Sequence, residues 1–263
     1  MFFDTHCHLE DPQLAADRPT VLQQAQSVGV ERILAVALDS ASSQILCTQK
    51  YSNGDPVRIY PTAGIHPNHA AKEPEGAWAL VENLARGGKA VALGETGLDR
   101  HWHDTPFAQQ QAFFIRHLTL ARELDLPVVI HCREATEDMI VLLRRFWEET
   151  GPVRGVMHSF SGEESFAQTC LELGLLIGLS GVLTFKNAQP LRDLAKHLPR
   201  DRVVLETDAP YLAPVPKRGK RNEPAFVSFT GMTLAELWGQ SIEETARQTT
   251  QNACKLFCPK EMG

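Results

Sequence analysis

Six residues of this 263-residue chain are of the kinds that hold divalent metal ions, and they recur in one kind of place. His6 and His8 form a His-x-His pair, Glu95 stands among Gly94, Thr96 and Gly97, and Asp208 precedes Ala209-Pro210. His131 and His158 each end a short apolar run. All six lie at the C-terminal ends of segments that read as β-strands. Side chains alternate along a strand, so a His-x-His pair puts both imidazoles on one side, where they can grip one ion together. Four imidazoles and two carboxylates suit zinc, manganese or magnesium, and are too rich in nitrogen for a dedicated calcium site. Singly, each residue has an ordinary explanation: an incidental histidine pair, an ion-paired glutamate, a rim histidine or a turn-capping aspartate. Six at equivalent strand ends are read together as a metal centre.

The elements that must bring them together follow from the hydrophobic pattern. Short β-branched or apolar runs occupy residues 2–5, 32–38, 58–64, 90–94, 127–131, 155–158, 175–179 and 202–206. Helical patterns fill the intervals, among them 19–28, 106–124, 135–149, 165–173 and 190–198. In the longest of these, Phe107, Phe114, Leu118, Ala121 and Leu124 recur at helical spacing with Gln109, Gln110, Arg116 and Arg122 between them. Pro19, Pro106 and Pro190 stand where first helical turns are expected. Strands alternating with helices pair in parallel, because each crossover needs a helix. Eight such units predict an α/β fold, a (β/α)8 TIM barrel spanning residues 1–263 as one domain, with the metal site at its C-terminal mouth. An open doubly wound sheet would carry a glycine-rich turn after its first strand, and here that turn is Thr5-His6-Cys7-His8. From Glu223 onward two helices are expected to close the barrel.

Composition narrows the class. With 43% hydrophobic and 22% charged residues the chain has the make-up of a soluble globular protein. No apolar run approaches the roughly 20 residues needed to span a bilayer. The N-terminus enters polar chemistry at once, so a cytoplasmic location without a signal peptide is expected. Six cysteines contain no C-x-x-C pair and are expected to be free and mostly buried. A net charge of −6 argues against tight nonspecific binding of nucleic acid by the whole surface. Nucleic acid remains open as a substrate, because a metal centre supplies its own positive charge.

Asp4-Thr5-His6-Cys7-His8-Leu9, Gly64-Ile65-His66-Pro67, Gly94-Glu95-Thr96-Gly97-Leu98-Asp99, His158-Ser159-Phe160-Ser161-Gly162 and the run from Leu205 to Pro224 resemble the TatD-type deoxyribonucleases. The resemblance covers residue 2 to about residue 257, and the wider group is the amidohydrolase-like barrels. It implies two divalent ions (zinc, manganese or magnesium), one held by His6, His8 and Asp208, the other by His131 and His158, with Glu95 bridging. The sequence departs from the family pattern after Asp99, where it reads Arg100-His101-Trp102-His103-Asp104. His101 and His103 make a second His-x-His, read here as a solvent-facing loop.

For chemistry, Glu95 and Asp208 are the candidate catalytic residues. By analogy Asp208 is a monodentate ligand whose free oxygen can take the proton of the attacking water. His66, Arg133 and Asn222 lie on expected mouth loops and are candidate phosphate contacts. Lys217-Arg218-Gly219-Lys220-Arg221, the densest basic run, follows Asp208 and is a candidate for backbone contacts, and Tyr211, Phe185 and Trp102 could stack bases. A barrel mouth is a pocket rather than a groove, which favours strand ends. The expected activity is therefore exonucleolytic cleavage of single-stranded DNA, with 3′ to 5′ polarity taken from the resemblance alone. The same constellation could serve an ester or amide hydrolase, such as a D-aminoacyl-tRNA deacylase. A noncatalytic metal-binding scaffold is the third reading. Neither a membrane nor an obligate protein partner is expected.

Overall fold

The computed structural model describes residues 1–49 and 55–258. The last five residues of the C-terminal stretch read as helical, 259–263, lie outside the described residues. In chain order the elements are β1 (Phe2–Cys7), α1 (Pro12–Ala15), α2 (Arg18–Ser27), β2 (Val30–Ala35), α3 (Ser40–Thr48), β3 (Arg58–Ala63), α4 (Ala77–Arg86) and β4 (Ala92–Asp99). They continue with α5 (Phe107–Leu124), β5 (Val128–Arg133), α6 (Thr136–Thr150), β6 (Gly155–Met157), α7 (Glu164–Glu172), β7 (Leu176–Leu179), α8 (Gln189–His197), β8 (Val203–Leu205), α9 (Val227–Trp238) and α10 (Ile242–Phe257).

The eight strands pair in sequence order, each parallel to the next. The ring closes just beyond the ends of β1 and β8, where the Asp208 N–H donates to His6 O and the His8 N–H to Ala209 O, both at 2.8 Å. The seam that completes the barrel is thus made by three of the candidate ligands. One apolar side chain from every strand (Phe3, Leu34, Tyr60, Ala92, Val129, Val156, Leu176 and Val204) belongs to a single buried cluster inside the ring. The end of α10 completes this cluster with Ala253, Cys254, Leu256, Phe257 and Cys258. The lower half of the barrel is therefore a packed apolar core sealed by α10, and the polar layer sits above it. A larger cluster fills the space between strands and helices, with Phe114 and Leu118 of α5 fully buried in it.

Two departures from the pattern bear on the site. β4 does not end at Gly94 but runs on to Asp99, carrying Glu95, Gly97 and Asp99 upward. Glycine permits this: a Cβ at Gly97 would lie 2.0 Å from His131 O, and the residue's φ is +149°, so only a bare backbone can pass so close to β5. The pairings of β1 with β2 and of β4 with β5 also slip, between Asp4 and Cys7 and between Leu93 and Thr96. Such irregularities re-aim side chains, and here they flank His6 and Glu95.

Candidate metal centre

Each ligand type arrives on a different strand end. His6 and His8 come from the end of β1 and the residue beyond it, Glu95 from the middle of β4, His131 from β5 and His158 from just past β6. Asp208 comes from the loop after β8. All but His131 and Asp208 are fully buried, and those two are partly so. Glu95 stands at the centre. Its Oε2 is 3.2 Å from His6 Nε2 and 3.8 Å from His8 Nε2. Its Oε1 is 2.8 Å from His131 Nδ1, 3.0 Å from His158 Nε2 and 3.5 Å from His66 Nε2. Asp208 Oδ1 closes the first group, 3.4 Å from His8 Nε2 and 3.7 Å from His6 Nε2.

These distances define overlapping triads of donor atoms: His6, His8 and Asp208; His6, Glu95 and His158; and His66, Glu95 and His131. The donor set fits a divalent cation for a reason visible at His8. Its Nδ1 lies 2.9 Å from Val36 O and can only donate there. A neutral ring then presents a bare lone pair at Nε2 to His6 Nε2, at 3.2 Å, and to carboxylate oxygens of Asp208 and Glu95. So many acceptors converge only if a cation lies among them, either a proton or a metal.

Protonation behaviour agrees. Burial alone would lower the His8 pKa, but the hydrogen bond to Asp208 and the surrounding carboxylates outweigh it and push it up to about 9. Burial likewise lowers the His158 pKa, but Glu95 and Glu206 more than offset that and hold it well above the ordinary imidazole value. His66 goes the other way, down to about 4, because burial dominates; His6 is lowered by burial and by charge on His158. Glu95 and Asp208 stay ionised below the ordinary carboxylate range, since the imidazoles overcome the burial of each. The cluster thus holds two anionic carboxylates against four to five rings, of which only some can carry protons at once.

A further layer orients the rings. Asp99 Oδ2 is 3.0 Å from His131 Nε2 and accepts from Asn68 Nδ2 at 2.9 Å. Glu206 Oε1 lies 3.3 Å from His158 Nδ1 and accepts from the Ser159 N–H. Asp4 accepts from the Thr207 N–H at 2.8 Å and its hydroxyl at 2.6 Å, binding β1 to the loop after β8 beneath the site. Burial raises the Asp4 pKa to about 8 despite these donors. Asp4, Asp99 and Glu206 were given no role from sequence. Their signal is faint: Asp4 and Glu206 lie within the strands read at 2–5 and 202–206 and Asp99 just past the one read at 90–94, and residue type alone does not separate a supporting carboxylate from a ligand. Asp208, Ser159, Glu134 and Leu212, all on mouth loops, hold positive φ without being glycine. Such backbone is tolerated where the surroundings over-determine it, as functional sites do.

The cluster forms the floor of a cavity of about 560 Å³ whose walls include Trp102, Arg133, Val182, Tyr211 and Leu212. Of the candidate phosphate contacts, Arg133 is exposed and lines this cavity. His66 faces Glu95 closely enough to belong to the donor cluster itself. Asn222 must be corrected. It is fully buried, its Nδ2 donates to Thr207 O at 2.8 Å and to Tyr211 O, and its Oδ1 accepts from the Glu223 N–H at 2.9 Å. Its polar atoms are spent bracing the loop after β8, leaving nothing to offer a phosphate. His101 faces outward, paired with Glu134 at 2.7 Å, and His103 is exposed. In the basic run, Arg221 pairs with Asp17 and Glu223 rather than pointing into the cavity. Trp102 and Tyr211 are half exposed at the rim, while Phe185 lies beneath the Arg218 guanidinium.

A parallel eight-stranded barrel with clustered imidazoles and carboxylates at its C-terminal mouth is the architecture of a metal-dependent hydrolase. Comparison with known proteins makes the class specific: residues 3–258 match the family described as TatD related DNase, and the chain belongs to that family. It is 38% identical over 259 residues to YabD of Bacillus subtilis, an uncharacterized metal-dependent hydrolase, covering 98% of this chain and 99% of that one. It is 37% identical to the 3'-5' ssDNA/RNA exonuclease TatD of Erwinia billingiae, over 97% of this chain and 98% of that protein. Among solved structures, the TatD homologue YjjV of Escherichia coli superposes with a TM-score of 0.89 at 31% identity, with 97% of each chain covered. The chain is a metal-dependent hydrolase, and no helix among its described residues is long and apolar enough to cross a membrane.

Proposed function

We propose that this hydrolase cleaves phosphodiester bonds at the ends of single-stranded DNA, acting 3′ to 5′ in the cytoplasm with two divalent cations, zinc, manganese or magnesium. The observation that carries the two-ion reading is the division of Glu95, whose Oε2 faces His6 and His8 while its Oε1 faces His131 and His158. In this reading His6, His8 and Asp208 would hold one cation and His131 and His158 the other, with Glu95 available to each. Cations bound there supply a water activated near neutral pH and polarise the phosphoryl oxygen.

The chain's own groups do the rest. Asp208, held ionised by His8, accepts the water proton on its carboxylate. Arg133, exposed on the cavity wall, meets a phosphate oxygen. Trp102 and Tyr211, half exposed on the same rim, offer faces to terminal bases. A cavity of about 560 Å³ admits a chain end more readily than a continuous duplex, and exonuclease relatives such as the Erwinia protein support that choice.

The test is degradation of 3′- and 5′-labelled single-stranded DNA and RNA by chelated protein, then after each metal is restored. Metal-dependent stepwise shortening from the 3′ end is expected. Metal-loaded protein that shortens neither polymer yet hydrolyses D-aminoacyl-tRNA would move the reading to an ester hydrolase. Glu95→Ala is expected to abolish turnover and reduce bound metal, whereas His101→Ala leaves both nearly unchanged; the reverse pattern would overturn the assignment.

A further inference from the structure

The loops after β7 and β8, residues 180–188 and 209–222, form one continuous lip beside the metal cavity. The Val215 N–H donates to Thr184 Oγ1 at 2.8 Å, and Gly181 packs so tightly that a Cβ there would lie 2.3 Å from Leu212 O. The Arg218 guanidinium lies 3.9 Å above the Phe185 ring, tying the two loops together a second time. These same loops supply Val182, Tyr211 and Leu212 to the cavity wall.

The lip is cationic in a chain whose net charge is −6. Lys186, Lys217, Arg218 and Lys220 lie on it, and no acidic residue occurs in either loop segment. None of the four pairs with a carboxylate among the described residues, and Lys186, Arg218 and Lys220 are exposed. Across the mouth the opposite holds. There Lys72 pairs with Asp104 at 2.9 Å, Arg100 with Asp138 at 2.7 Å and His101 with Glu134 at 2.7 Å. Arg133 on the cavity wall apart, the cations on that side of the mouth are paired, while the other side carries unmatched positive charge with the exposed ring of Tyr211 at its inner edge.

We propose that the lip formed by the loops after β7 and β8 is the track along which a single-stranded polynucleotide lies as it leaves the metal centre. Backbone phosphates meet Lys186, Arg218 and Lys220 while the reacting end sits in the cavity. The inference rests on the phosphodiesterase reading above, but it concerns the part of the substrate that does not react. Cations interleaved with aromatic faces are what sequence-tolerant binding of single strands requires. Such contacts release counterions, so binding weakens with salt in proportion to the phosphates met, with a slope of about −0.7 per phosphate for single strands.

The experiment measures binding of a fluorescent, phosphorothioate-linked dT12 to metal-loaded protein across a salt series, by anisotropy. The wild type is compared with a triple variant, Lys186→Glu, Arg218→Glu and Lys220→Glu, and with Lys72→Glu from the opposite side. Thermal melting checks that each is folded. The triple variant is expected to raise Kd about tenfold or more at low salt and to reduce the salt slope by about 2. Lys72→Glu should change neither. Hydrolysis of a thymidine dinucleotide, whose single phosphodiester sits at the metal centre and leaves no further phosphate for Lys186, Arg218 and Lys220, should keep its kcat/KM within about twofold in the triple variant. Unchanged Kd and slope in the triple variant, or an equal loss in Lys72→Glu, would overturn the track. Wild-type protein that hydrolyses neither dinucleotide nor unmodified dT12, yet loses dT12 binding in the triple variant, would sink the phosphodiesterase reading while leaving the track in place.

Discussion

Glu95 shows how much of a site can be read from residue type and position. Its neighbours Gly94 and Gly97 marked a strand end, the other five ligand types occupied equivalent ends, and parallel topology does the rest. What residue type could not reveal was the layer behind the ligands. Asp99 follows a leucine in what reads as a loop, and nothing in its context says that β4 continues to it or that it is buried against His131. Asn222 failed for the complementary reason: an amide two residues from a proline on a mouth loop looks available, while in the fold its backbone partners consume it. Asp99 now carries a prediction. Asp99→Asn keeps the shape but gives up the charge that orients His131 and holds Asn68. Loss of an outer partner of a metal-ligating histidine typically costs about 10- to 100-fold in metal affinity or activity. A zinc or manganese titration of the variant should show that weakening with the fold intact, and unaltered affinity would mean that His131 needs no such support.

At the scale of elements, periodicity located α2, α5, α6, α7 and α8 to within a residue or two, because each alternates buried and exposed faces over at least two turns. The end of β4 was misplaced because glycine marks both a terminus and a close approach, and only the packing of Gly97 against His131 O separates them. α5 also carries a device that periodicity cannot show. His117 is fully buried, its Nε2 accepting from the Ile65 N–H at 3.1 Å while its Nδ1 donates to Phe113 O at 2.7 Å, with Thr96 Oγ1 3.1 Å away. It thereby pins the strand ends that carry His66 and Glu95. Burial lowers its pKa from 6.5 to about 4. The unfolded chain therefore binds a proton below about pH 6.5 that the folded chain refuses until about pH 4. Stability from this group is complete above pH 6.5 and falls as pH drops through that window, by about 3 kcal/mol at 1.36 kcal/mol per unit. His117→Gln cannot titrate there, so urea unfolding should find the gap between wild type and variant narrowing by about that amount from pH 7 to pH 4. A constant gap would show that the ring is not held neutral.

At the scale of the molecule, the barrel divides its labour between two ends. The alternation of strands and helices was enough to give the ring and its order, since parallel strands leave few ways to connect. It was not enough to show what fills the ring. No periodic signal says that the last turn of α10 enters the same buried cluster as one residue from each of eight strands, for that contact joins positions more than two hundred residues apart in the case of Phe3 and Phe257, whose ring centroids lie 6.2 Å from one another. This plug lies at the end of the barrel away from the metal cavity, and its contribution should be to stability alone. Phe257→Ala removes a large buried ring from the cluster, a change that typically costs about 3–5 kcal/mol. In a chain of this size each kcal/mol lowers the melting temperature by roughly 2–4 °C, so a fall of about 6–20 °C is expected in calorimetry. Below its transition the variant should retain the wild-type kcat/KM and metal content, because the candidate ligands are positioned by the seam between β1 and β8 and by the pairing of β4 with β5. If the melting temperature holds while turnover drops, α10 is coupled to the mouth and the two ends are not independent.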